Sequence, residues 1–106
     1  MDNKKMRLYQ MESEIFKALA HPIRLAAVNF LKDKEQCVCD IIKYVDSEAS
    51  NVSRHMSVLK KAGVVLDRKE GLQVYYRLNM PCAVSFFTCV REIIQHQIEE
   101  KAALLD

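Results

Sequence analysis

The chain has 106 residues, 50% hydrophobic and 28% charged, with two glycines and two prolines, a composition that excludes a disordered, collagen-like or low-complexity protein. That length suits one ordinary domain, residues 1–106, but a core of this size leaves much apolar surface uncovered, which a second subunit often hides. The net charge of +2 is unevenly spread: residues 1–49 hold eight basic and eight acidic side chains, residues 50–77 six and two, and residues 78–106 two and four.

The sequence predicts a first helix from about Lys4 to Leu19, in which Leu8, Met11, Ile15, Phe16 and Leu19 recur at helical spacing. It ends at His21-Pro22, because a residue before proline is pushed out of the α region while proline fits the first turn of the next helix, Pro22 to about Leu31. A polar loop, Lys32 to Gln36, follows. Cys39-Asp40 then opens a short third helix through about Val45, and the Asp46-Ser47-Glu48 turn leads into a fourth from near Ser50 to Ala62, capped by Gly63. Along the fourth helix Val52, Met56 and Leu59 form an apolar stripe, leaving Asn51, Ser53, Arg54, His55, Ser57 and Lys61 across the other faces. Val64–Lys69 and Leu72–Leu78 read as two strands of a hairpin turning at Glu70-Gly71. After Pro81 a long apolar helix, Cys82 to about Leu104, carries more hydrophobic surface than so small a core absorbs, so part of it is expected to meet another chain together with the first helix. The fold class is therefore mainly α with a β-hairpin wing: a winged helix-turn-helix with terminal dimerisation helices.

No stretch of about 18 apolar residues appears, and Asn3, Lys4, Lys5 and Arg7 interrupt the first segment, so the expectation is a cytoplasmic protein with neither leader nor membrane partner. Four cysteines in that compartment are expected as reduced thiols rather than disulfides. Two of them, Cys37 and Cys39, stand one residue apart at a helix start, where thiolate is favoured, and thiolates select soft or borderline ions. The bland alternative is two small buried residues. Cys82 and Cys89, seven apart on the last helix, pack a subunit interface or else lend a further sulfur.

The basic excess surrounds the fourth helix. Ser50, Asn51, Ser53, Arg54 and His55 supply short hydrogen-bonding groups and one guanidinium suited to base edges in a major groove. Lys60, Lys61, Arg68, Lys69 and Arg77 then suit phosphates, which set affinity and register but carry no sequence information. The expected partners are double-stranded operator DNA and a second copy of the chain.

Taken together, His21-Pro22-x-Arg24, the Cys37-x-Cys39-Asp40 box, Ser50-x-x-Ser53-Arg54-His55-Met56-x-x-Leu59, Ala62-Gly63 and Arg68-Lys69-x-Gly71 resemble the ArsR/SmtB family of metal-responsive repressors, across nearly the whole chain. The resemblance is nearest to the arsenical-resistance repressors, whose box continues with a third cysteine two residues past the aspartate; here that position is Ile42. It implies a homodimeric repressor that leaves its operator when a thiophilic ion, As(III) or Sb(III), occupies Cys37 and Cys39, with no permanent cofactor. Cadmium, lead or zinc are alternative inducers. His96-x-x-Glu99 resembles half of the family's zinc site, but its partner positions hold Ala83 and Ser85, so a solvated helical face is the expectation there.

Other readings are a redox or persulfide sensor on the same scaffold, a thiol oxidoreductase, and a protein-interaction module sharing the fold. The enzyme reading lacks a Cys-x-x-Cys pair, a neighbouring general base and a Gly-rich loop, and the chain is expected not to be one.

Overall fold

The computed structural model describes residues 1–105. Its elements are α1 (Asn3–Leu19), α2 (Pro22–Phe30), β1 (Gln36–Cys37), α3 (Val38–Val45), α4 (Ala49–Lys61), β2 (Val65–Glu70), β3 (Gln73–Leu78) and α5 (Cys82–Leu105). The helix order and the hairpin agree with the sequence reading, and ends differ by a residue or two.

Local chemistry sets the boundaries. Asp2 caps α1, its Oδ1 accepting from the Lys5 amide at 2.8 Å. Pro22 occupies the first turn of α2, where no amide donor is missed, and the His21 ring caps the same turn by accepting from the Ile23 amide at 3.1 Å. α3 stops at Asp46, which takes the left-handed conformation (φ 51°) so that its amide can return to Ile42. Gly63 (φ 81°) turns the chain out of α4 into β2, a conformation costly for a residue with a Cβ.

The core forms where α2, α3 and α4 meet the base of the hairpin: Val28, Ile41, Val52, Met56, Leu59 and Val65 are wholly buried, with Leu19, Ala83 and Phe87 closing it from α1 and α5. Both long helices project beyond it. The radius of gyration is 16.7 Å, against about 13 Å for a compact domain of this length. Met6, Leu8, Tyr9, Met11 and Phe16 of α1, and Phe86, Ile93, Ile94 and Ile98 of α5, stay exposed.

One element departs from the sequence reading. Gln36, assigned to a loop, begins a two-residue strand that makes the sheet three-stranded in the order β1-β3-β2. Gln36 pairs with Tyr76 and Cys37 with Tyr75, so the cysteine box is stitched to the wing.

Candidate nucleic-acid interface and thiol site

α4 buries one stripe and presents the rest. Val52, Met56 and Leu59 face the core as expected, while Ser50, Ser53 and Arg54 are exposed and Asn51 half-buried. A polar row runs along the start of the helix: Asn51 Nδ2 donates to Ser47 Oγ at 2.8 Å, and Arg54 Nη2 donates to Asn51 Oδ1 at 2.7 Å. Ser47 was not among the sequence candidates; the i, i+4 spacing to Asn51 is the signal that identifies it. The row orients the Arg54 guanidinium and leaves its remaining donors free for acceptors outside the protein.

His55 does not belong with them. It is 8% exposed, with its ring 4.2 Å from that of His21 and its Nδ1 3.2 Å from Arg24 Nη1. A guanidinium only donates, so Nδ1 accepts and the ring is neutral. Burial pushes the His55 pKa down, and electrostatic interactions with His21, Arg24 and Arg54 push it the same way. The sequence reading placed His55 on the DNA face; positions 52, 55, 56 and 59 fall at i, i+3, i+4 and i+7, the spacing of a single buried stripe, and His55 fills the polar notch in it.

The basic residues split into two groups. Lys60 is paired with Asp67 at 3.0 Å. Arg68 is clasped by Glu35, its Nε at 2.9 Å from both carboxylate oxygens and its Nη2 at 2.6 Å from Oε1, while Nη1 reaches Glu70 at 2.8 Å. The guanidinium also lies 4.6 Å from the Tyr75 ring centroid. The pairing lowers the Glu35 pKa, through the Arg68 hydrogen bond first, and raises that of Arg68. Lys61, Lys69 and Arg77 are exposed and, among the described residues, make no ion pair. Lys60 and Arg68, both expected on phosphates, are thus each held in the free protein by a carboxylate on a neighbouring strand or at a strand entry, contacts that charge counting does not reveal.

Cys37 caps α3, its Sγ accepting from the Cys39 amide at 3.2 Å, and lies 3.1 Å from Gln73 Oε1 of β3. Cys37 is buried and Cys39 exposed. Their Cα atoms are 5.2 Å apart and the two sulfurs are joined as a disulfide, whereas the sequence reading expected reduced thiols. An extended residue followed by a helix start turns both side chains to one side, which brings the sulfurs together. Cys82 and Cys89 are free and exposed on α5. Among the described residues no cluster of three or more His, Cys, Asp or Glu side chains forms, so within one protomer neither cysteine of α5 joins Cys37 and Cys39. Ile42, in the position of the family's third cysteine, packs against the core. His96 pairs with Glu100 at 3.1 Å and Glu99 accepts from Gln95 at 3.2 Å, so the zinc-like pair is split between other partners. No helix is long and apolar enough to cross a membrane among the described residues.

A family model for bacterial regulatory proteins of the arsR family matches residues 21–66. The HTH-type transcriptional regulator Rv0081 of Mycobacterium tuberculosis is 30% identical over 93% of this chain and 88% of its own length. The arsenical resistance operon repressor of Escherichia coli is 42% identical over 62% of this chain and 57% of its own length. Among solved structures, the crystal structure of Rv0081 superposes with a TM-score of 0.76 at 29% identity, covering 90% of this chain and 96% of that one. The homodimeric winged helix-turn-helix domain of Mb0332 from Mycobacterium bovis gives 0.78 at 26% identity, covering 94% and 93%. The matches to Rv0081 and Mb0332 run from α1 into α5, and the present chain belongs to the arsR family of bacterial regulatory proteins.

Proposed function

We propose that the protein is a homodimeric repressor that holds a pseudo-palindromic operator through α4 and the wing, and releases it when a thiophilic ion, As(III) or Sb(III), bridges Cys37 and Cys39. The observation that carries this reading is the convergence of two sulfurs at the start of α3, a helix packed directly on α4. With arsenous acid and the dithiol in its reduced form the exchange balances simply. Two of the three As–O bonds are replaced by As–S, each thiol proton leaving with a hydroxyl as water, and one oxygen remains on arsenic in the place a third sulfur would take. Ser50, Asn51, Ser53 and Arg54 are the base-facing set, and Lys61, Lys69 and Arg77 the free phosphate contacts. The exposed apolar faces of α1 and α5, joined where the Phe16 and Phe86 rings stand 5.8 Å apart, are the surface a second copy would cover.

A coupling free energy of about 1 to 3 kcal/mol between the two sites corresponds to a 5- to 150-fold change in DNA affinity. The test is arsenite titration of reduced protein bound to DNA that the protein itself has selected from a random pool, followed by fluorescence anisotropy. The wild type is expected to release, and the double variant Cys37→Ser, Cys39→Ser to bind and stay bound, since serine caps a helix but is a poor ligand for a soft ion. A double variant that releases at the wild-type arsenite midpoint would refute the site.

The same closeness of the two sulfurs supports a second reading, in which oxidation is the signal. Two thiols lose two protons and two electrons to a peroxide, the S–S bond forms, and the peroxide leaves as two waters. Release by peroxide and recovery with a dithiol, in protein that ignores arsenite, would select it.

A further inference from the structure

The wing carries a guanidinium turned inward. Arg68, on the strand that projects towards nucleic acid in a winged helix-turn-helix, spends its donors on Glu35 and Glu70 while its neighbour Lys69 is free. Glu35 is not a wing residue. It stands two positions ahead of Cys37, at the entry to β1. Sheet register adds a second connection, because Cys37 lies opposite Tyr75, and Tyr75 opposite Arg68, in one row across β1, β3 and β2. The Arg68 guanidinium covers the Tyr75 ring, and Gln73, two residues along the same face of β3, touches Cys37 Sγ. The sulfur site and Arg68 thus share one sheet face, and Glu35 joins the segment that carries Cys37 to the charge that a phosphate would compete for.

We propose that Glu35 is an internal competitor for the DNA backbone, which withholds Arg68 from phosphate and does so most effectively when the sulfurs of Cys37 and Cys39 are drawn together. With the sulfurs joined, β1 is tied to the start of α3 while its pairing with β3 holds it in the sheet, and Glu35 reaches Arg68 through three contacts. With the thiols apart, Cys37 is anchored only by strand pairing and Gln73, the entry to β1 is less constrained, and phosphate displaces the carboxylate more readily. The link to the sulfurs rests on the function proposed above; the competition for Arg68 does not.

The experiment is a double-mutant cycle of Glu35→Gln and Arg68→Ala, read as affinity and salt dependence on a labelled mixed-sequence duplex with reduced, ion-free protein. Glu35→Gln is expected to tighten binding about two- to fivefold, and to steepen the dependence of log affinity on log salt by about one. Both gains should vanish when Arg68→Ala is present. A gain that persists without Arg68 would mean that only net charge had changed, and would overturn the proposal, as would no gain at all in protein whose circular dichroism shows it folded. Glu35→Asp, a shorter acid, guards against a packing artefact: it should fall between wild type and Glu35→Gln, and any other order counts against competition. Arsenite then tests the link. Glu35→Gln should bind arsenite with unchanged stoichiometry yet lose part of the arsenite-induced weakening on DNA; an equal weakening would overturn the link. Wild type that never responds to arsenite would sink the ion-release reading instead, with the ion-free cycle still deciding the competition.

Discussion

Replacing His55 separates a residue that shapes the recognition helix from one that reads DNA. In His55→Ala the Arg24 guanidinium loses the acceptor 3.2 Å away, on a side chain whose Nε is already buried without a partner. Hydrogen bonds to charged groups contribute about 1.5 to 3 kcal/mol, and emptying a ring-sized space between His21 and the Met56 stripe costs about 1 to 2 more, so a loss of about 3 kcal/mol is expected. His55→Gln keeps an acceptor and should recover about half of that. The assay is urea unfolding at fixed protein concentration, since the stability of the proposed dimer depends on it, across pH 5 to 8. Because the His55 pKa is held below its ordinary value of 6.5, the unfolded chain takes up the proton first as pH falls; stability is therefore fully present above 6.5 and is lost as pH drops towards the folded pKa, below which the loss levels off. That fall should be present in wild type and reduced in His55→Gln. Operator-to-random affinity ratios, measured where each variant is folded, should stay near wild type. Wild-type stability combined with lost operator discrimination would refute the buried, structural role and return His55 to the DNA face.

Three further variants, two single and one double, probe the interface and the thiols. Arg54→Ala should leave the fold and dimer intact but cost about 1 to 3 kcal/mol of operator discrimination; an unchanged ratio would leave Arg54 as a backbone contact. Lys69→Ala, at the free side of the wing, should weaken binding on every sequence alike and reduce the salt slope by about one, whereas a sequence-selective loss would contradict a phosphate contact. Cys82→Ser with Cys89→Ser should preserve the arsenite response, because those thiols are exposed on α5 and join no donor cluster; a sharply weakened arsenite affinity would place one of them on the ion.

The order of elements was legible because its signals are local. Apolar spacing marked the longer helices and Cys39-Asp40 the short third one, His21-Pro22 forced a boundary, Gly71 marked the hairpin turn and Gly63 the exit from α4, and each acts through a few neighbouring residues. The pairing of Cys37 with Cys39 was legible as proximity for the same reason. What tertiary structure decided is everything that depends on a distant partner. A two-residue strand has no periodicity of its own, so β1 exists only because β3 passes beside it. His55 reads as a polar recognition residue until Arg24 and His21, more than thirty positions earlier, supply the acceptor's donor and the neighbouring ring that make its burial tolerable. Charge is countable from the sequence, but its availability is not: Arg68 and Lys60 carry the same formal charge as Lys69 and Arg77, and only folding, by setting Glu35 and Asp67 against the first pair, determines which cations remain free for a phosphate.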